Sequence, residues 1–398
     1  MIILKFNLIH IYFWLIKNIY IPKLRFKGFD KKYKNVKLKD ISTYKKGKDF
    51  SKKDLDDNGK NPIILYGDLF TQYTSIIKNI NQFTNESGGY LSKKNTLLFP
   101  SSSTSLNDFF PCSAIDIENV ILGSDINIFE FNINNSAMYF SYLFSTPYHL
   151  KNIFKLTEGS TINHLYGRYL ESYNLMIPEI NEQEKIAKFF SLLDLQVSLL
   201  ENKLQLIEQK FEYFLNYLFN KKTFNGKKAL TLLKEISVII KGDQINSSKL
   251  KESGLYYYQN GGIEPSGWLD DFNRGKNTIS INEGGSCGIV KWHDLPFWSG
   301  GHLYTLEIKN KILINNKYLY YLLKCNEKKI TKLQKGSSLK NIQKKDLEKM
   351  NISYLTNINE QILIVKFLNV IEKQKELLRK KINFLIIKKK YFLTKIFI

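Results

Sequence analysis

Four clusters of small polar residues, three of them holding glycine, stand in this chain where another molecule could reach the backbone. They are Ser101-Ser102-Ser103-Thr104, Gly159-Ser160-Thr161 with Asn163, Gly284-Gly285-Ser286, and Gly336-Ser337-Ser338. Such loops offer N–H and hydroxyl donors to a phosphate at close range. Ser299, in Pro296-Phe297-Trp298-Ser299-Gly300-Gly301-His302, belongs to the same chemistry. Gln259, Asn260, Asn163 and Asn341 carry the amide group that can read base edges. Plain turn formation uses the same residue types, so each loop is open to both readings.

Catalytic chemistry finds no comparable support. Cys112, Cys287 and Cys325 form no CxxC pair, so neither a zinc ribbon nor a disulfide framework is expected, and a reducing cytoplasm fits. The histidines form no HExxH and no i, i+4 pair, so no metal site is expected. No P-loop is present, and Gly284-Gly285-x-x-Gly288 lacks the dinucleotide spacing. No Asn-Pro-Pro-Tyr methyltransferase tetrapeptide and no Pro-Asp…Glu-x-Lys nuclease signature occurs. Catalysis by a known motif therefore has no support in the sequence.

Charge points to a polyanionic partner. The 398 residues carry a net charge of +22, from 59 basic against 37 acidic side chains. Nucleic acid is the first candidate and an anionic membrane the second. Only Arg25, Arg168, Arg274 and Arg379 are arginine. Lysine suits phosphate contact better than bidentate base reading, so no obvious guanine clamp stands out. The wealth of Asn, Lys, Ile, Phe and Tyr also fits AT-rich coding, which dilutes the charge signal.

The loops sit on a repeated frame. Ile180-Asn181-Glu182-Gln183 returns as Ile358-Asn359-Glu360-Gln361 at an offset of 178, and Gly159-Ser160 meets Gly336-Ser337 at 177. Upstream, Leu38-Lys39-Asp40-Ile41-Ser42 resembles Leu233-Lys234-Glu235-Ile236-Ser237 at 195. The halves share their ends and differ in their middles, the pattern of one frame carrying two specificities.

Each half closes on a helix. Ile186, Phe190, Leu193, Val197, Leu200, Leu204, Ile207, Phe211, Phe214 and Leu218 step by 4 and 3 without a break, a heptad seam. The matching seam is Ile364, Leu368, Ile371, Lys375, Leu378, Ile382, Leu385, Lys389, Phe392 and Ile396, interrupted by its two lysines. Two such seams in one chain are expected to zip together. Asn181 and Asn359 are the expected helix caps. At ~1.5 Å per residue, Ile186 to Leu218 spans roughly 50 Å.

Both middles alternate β-prone runs with turns and contain one helix each, Ala137 to Leu150 and Asn316 to Asn326. The expected class is α+β: two globular mixed α/β domains separated by two long helices packed as an antiparallel coiled coil, a pseudo-twofold tandem repeat. Residues 1–21 are apolar but carry Lys5 and Lys17, and read as an N-terminal extension of uncertain role, not as a signal peptide or a span.

These features together resemble the specificity subunit of a Type I restriction–modification system. The resemblance is carried by Pro22-Lys23-Leu24-Arg25-Phe26-Lys27-Gly28-Phe29, Val36 to Ile41, Gly159-Ser160-Thr161, and Ile177-Pro178-Glu179-Ile180-Asn181-Glu182-Gln183-Glu184-Lys185-Ile186-Ala187, with partial repetition in the second half. Leu355 stands where the first half has Pro178, and the second half lacks the Ile-Ala pair. The resemblance implies target recognition domains at 22–177 and 225–355 and spacer helices at 178–224 and 356–398. It implies double-stranded DNA as ligand, with each domain reading half of a split, asymmetric sequence. Partners would be two modification (methyltransferase) subunits and restriction (ATP-dependent translocase and nuclease) subunits. They would use S-adenosylmethionine, ATP and Mg; the subunit itself would use none, act in the cytoplasm and need no membrane. The alternative is a coiled-coil protein scaffold without DNA specificity.

Overall fold

The computed structural model describes residues 22–103, 111–220, 226–337 and 340–397; residues 1–21, Thr104 and Ser338 lie outside the described residues. The chain forms two compact units. The first runs to Glu201 and takes in Lys380 onward; the second is Asn202–Arg379. Each unit therefore contains part of both long helices.

In the first unit, Lys34–Lys37 pairs antiparallel with Asn174–Ile177, Lys34 opposite Ile177. One helical turn, Leu38–Ile41, buries its two apolar ends and delivers the strand Ser42–Lys46. That strand edges a five-stranded sheet in the order Ser42–Lys46, Ile126–Phe131, Thr96–Pro100, Ser113–Ile115, Ile76–Ile77. Thr96–Pro100 is buried at every position, which is why it reads as an unbroken apolar run and not as an alternation. The helix Ala137–Phe144 packs on the sheet, with Phe140 stacked on Phe131 at 4.5 Å and Phe144 edge-on to Phe99 at 5.2 Å. The sequence predicts one helix from Ala137 to Leu150; the chain makes two, Ala137–Phe144 and Pro147–Phe154. Pro147 cannot donate into the preceding turn, and Thr146 caps the new helix through its hydroxyl.

The second unit repeats the frame. Lys228–Leu232 pairs with Asn351–Leu355, Lys228 opposite Leu355. The turn Leu233–Ile236 leads to Ser237–Lys241, the edge of a four-stranded sheet ordered Ser237–Lys241, Leu303–Ile308, Thr278–Asn282, Val290–His293. A smaller sheet holds Gly267–Leu269, Tyr256–Gln259 and Trp298–Ser299. The helix Asn316–Cys325 is capped by Asn315, whose amide oxygen accepts from Tyr318 N at 3.0 Å.

The long helices are Ile180–Asn220 and Ile358–Ile396, packed against each other. Within the first unit, the start of one meets the end of the other, Phe189 against Phe392 at 5.1 Å. Within the second unit the converse holds, Phe214 against Phe367 at 4.9 Å. The packing is therefore antiparallel. Every seam position is buried or half-buried, while Leu199 and Leu206, off the seam, are 59% and 64% exposed. Heptad periodicity thus separated core leucines from surface ones. The seam lysines find partners: Lys389 Nζ reaches Asp194 at 2.5 Å, and Lys375 Nζ lies 4.4 Å from the Phe211 ring centroid.

The repeated Asn-Glu-Gln has a different job from the expected capping. Both helices begin before the asparagine, and Asn357 caps the second, accepting from Asn359 N at 2.9 Å. The glutamine is the fixed piece. Buried Gln183 donates to Pro178 O at 2.9 Å and accepts from Ser136 N at 2.9 Å. Buried Gln361 donates to Leu355 O at 2.7 Å and accepts from Asn315 N at 2.8 Å. Each ties a long helix to the closing strand and to the start of the sheet-packed helix.

Candidate nucleic-acid interface

In the first unit the two serine-rich loops are one structure. Ser102–Ser103 forms a short strand against Asn163–His164, Ser103 opposite Asn163. Gly159, Ser160 and Thr161 are the exposed tip of the returning loop, closed by Glu158 and His164, which exchange N–H···O bonds of 2.7 and 2.9 Å. Gly159 sits at φ +123°, and a Cβ there would lie 1.9 Å from Ile162 O, so only glycine makes this turn. Ser101 is anchored by Asp125, through its N–H at 2.7 Å and its hydroxyl at 3.2 Å.

The second unit builds the same place with different material. Lys335 and Asn341 close the loop holding Gly336 and Ser337, and Gly336 repeats the positive φ at +113°. Ile342 N donates to Glu283 O at 3.0 Å, as Leu165 N donates to Ser101 O at 2.9 Å. This brings Gly336–Ser337 beside Gly284-Gly285-Ser286. The loops touch closely: a Cβ on Gly284 would lie 2.7 Å from Asn341 Oδ1, and one on Gly261 2.8 Å from Gly284 O. Asn260 Oδ1 accepts from His302 N at 3.0 Å. Four sequence-distant loops therefore converge on one surface, and small residues at the crossings make this possible. Beneath them, Glu283 accepts from Tyr304 OH at 2.7 Å and Lys241 Nζ at 2.8 Å.

The predicted residues divide by exposure. Gly159, Ser160, Thr161, Gly285, Gly336 and Ser337 are exposed, and Ser102, Ser286 and Asn260 half-buried. Ser101, Ser103, Asn163, Gln259, Gly284 and Ser299 are buried. Gln259 spends its amide on Gly262 O at 2.6 Å, a bond that shapes the loop. Sequence reasoning passed over Tyr166, Arg168 and Tyr169, exposed or half-buried directly after the first Gly-Ser-Thr loop. The signal was there, an arginine interleaved with aromatics, but four arginines scattered along the chain did not single one out.

One arrangement imitates a catalytic one. Ser280 Oγ lies 2.7 Å from His293 Nε2, and Tyr257 OH 2.7 Å from His293 Nδ1. Ser280 is fully buried and the imidazole stacks on Phe297 at 3.9 Å. Burial pushes His293 down to about 3, and Ser280 and Tyr257 take up both of its ring nitrogens. Among the described residues no group of His, Cys, Asp and Glu is arranged to hold a metal, and no helix is long and apolar enough to cross a membrane.

Comparison with known proteins gives this geometry a family. Residues 30–209 and 228–385 match the Type I restriction modification DNA specificity domain, one copy in each half. A Mycoplasma pneumoniae chain named as a type I specificity subunit is 40% identical over 146 residues, 37% of this chain and 38% of its own length. One from Mycoplasma genitalium is 37% identical over 136 residues, 34% of this chain and 36% of its own length. The match thus spans little more than a third of these curated relatives. The crystal structure of a type I restriction–modification S subunit from M. genitalium shares the fold, with a TM-score of 0.71 at 19% identity over 95% of this chain and 99% of that one. The matched segments cover most of the sequence, and the chain belongs to the Type I restriction–modification DNA specificity family.

Proposed function

We propose that the chain is the DNA-recognition subunit of a Type I restriction–modification complex, binding a two-part asymmetric duplex sequence. The observation that carries this reading is the pair of loop clusters, built at equivalent places on a repeated frame from unlike residues. One frame with two unlike surfaces suits a target whose halves differ. The net charge of +22 suits phosphate neutralisation. The chain itself performs no reaction and takes no cofactor; methylation and cleavage fall to partner subunits using S-adenosylmethionine, ATP and Mg, in the cytoplasm.

The helices support docking of two modification subunits. Leu192, Leu199, Leu206 and Tyr213 on the first, and Leu363, Val370, Leu377, Phe384 and Tyr391 on the second, are exposed at seven-residue steps. A second heptad stripe beside a filled seam is what further helices would cover. Restriction subunits would join the same assembly.

Filter binding across salt tests the DNA reading. Duplex affinity should fall steeply between ~50 and ~200 mM salt. A scaffold for proteins alone predicts no duplex affinity at any salt. Methylation mapping in cells carrying the chain and its partners should then return a split adenine-methylated motif.

A further inference from the structure

Three of the four arginines are committed to internal acceptors. Arg25 grips Glu182 through two bonds of 2.7 Å, Arg274 donates to Thr305 Oγ1 at 2.8 Å and Asn273 O at 2.7 Å, and Arg379 reaches Glu208 at 2.6 Å. Arg168 is held differently. Its guanidinium carbon lies 4.9 Å from the centroid of Tyr166 and 4.9 Å from that of Tyr169. Its Nη2 donates to the Tyr169 hydroxyl at 3.2 Å, and that hydroxyl donates to Glu158, which closes the Gly-Ser-Thr loop. Tyr166 continues the stack onto His164 at 6.2 Å, and His164 lies opposite Ser102.

The platform is fixed from below. Arg168 rides on the short helix Gly167–Glu171. A Cβ on Gly167 would lie 2.1 Å from the Tyr44 ring, and Tyr44 donates its hydroxyl to Asn127 at 3.0 Å. Only glycine lets the helix sit this low. The result is an exposed planar guanidinium braced against two aromatic rings that stand edge-to-face to each other at 80°, at the edge of the loop cluster, with Nη2 given to the Tyr169 hydroxyl.

We infer that Arg168 reads a guanine in the half-site bound by the first unit, with Tyr166 and Tyr169 as positioning residues. The inference rests on the DNA-recognition reading and names its contact. A planar fork braced by two rings can meet guanine O6 and N7 at once, and ordering it beforehand lowers the entropy lost on binding. Phosphate needs no such device, since 55 of the 59 basic residues are lysine. The matching position in the second unit is Lys345, at the offset of 177 that relates the Gly-Ser loops, so that unit has no equivalent fork.

The test is selection of sites from a random duplex library by the full chain with its modification subunits, for wild type, R168K and R168Q. Arg168 is exposed, so both variants should fold. The expected result is a two-part wild-type motif in which one guanine of one half loses roughly 5- to 150-fold of its preference in R168K, the other half staying intact. Y169F, which loses the hydroxyl but keeps the ring, should weaken the same guanine by less. An unchanged motif in both Arg168 variants overturns the assignment. So does uniform weakening of all sequences with a shallower salt slope, the mark of a phosphate contact. A wild-type complex that selects no two-part motif sinks the DNA reading as well, and this is seen before any variant is made.

Discussion

The two units differ at places where they should agree if the frame alone mattered. After the Gly-Ser loop, the first unit presents Tyr166, Arg168 and Tyr169; the second has Gln343, Lys345 and Asp346 in the same places. Asp346 there takes Lys335 at 2.7 Å, whereas Tyr169 supports an arginine. The bonds that hold each unit together are meanwhile copied: glutamine to closing strand, glutamine to helix cap, and one loop-to-strand hydrogen bond in each. Buried polar groups must be satisfied, so a buried network tolerates little change. Exposed loop tips need only keep their backbone bridge, and their side chains are free to diverge.

That contrast can be broken by mutation, beginning with the largest effect. Glu182 is fully buried and held by Arg25, whereas the matching Glu360 leaves a buried carboxylate oxygen unpartnered. Arg25→Ala should cost the first unit on the order of 3–5 kcal/mol, since it strands a buried charge; a loss under about 1 kcal/mol by chemical denaturation would show that the pair is not needed. Gln183→Ala and Gln361→Ala should each cost about 1–3 kcal/mol by leaving buried partners unsatisfied. The two values should agree closely, and a large disparity would mean that the copied frame is not equally important in both units.

Each unit also buries one neutral histidine. Burial pushes His149, beside the Tyr173 hydroxyl, down to about 4, and His293 down to about 3. Both lie below the unfolded value of ~6.5, so the unfolded chain binds more protons and stability falls as pH drops through 6.5. At pH 5 each should remove about 2 kcal/mol relative to neutral pH. Denaturant melts from pH 7 to 5 check this, and His149→Gln should flatten the first unit's dependence alone. The smallest effect is at the seam. Lys375→Leu should stabilise the second unit by roughly 1 kcal/mol, because burial and the nearby Arg379 disfavour that ammonium more than the charges of Glu208, Glu372 and Glu212 favour it, and its close contact is the Phe211 ring. Lys389→Leu should not, because it strands Asp194. Equal outcomes for the two lysines would erase the distinction.

Much of this was legible beforehand. The seam could be read position by position because burial on a long helix follows a fixed period. The strands Thr96–Pro100, Ile126–Phe131 and Thr278–Asn282 declared themselves as apolar runs between turns. The two Gly-Ser loops were found because the Gly-Ser pair repeats at an offset of 177, while the positive φ of their glycines came only with the fold. The break at Pro147 and the roles of Asn181 and Gln183 were not legible. They depend on which carbonyl or N–H stands nearby once strand, helix and loop have met.

The order of elements, their duplication and the division of the helices into covered and open faces were settled by the chain's own pattern, for these follow from local period and from repeated spacing. Which arginine comes to rest against aromatic rings beside a loop cluster, which glutamine becomes a strut and which polar loop becomes a surface were settled only by folding. Arg25 and Glu182 are 157 residues apart, and no local rule links them; only packing decides which charge is consumed inside the protein and which is left for another molecule.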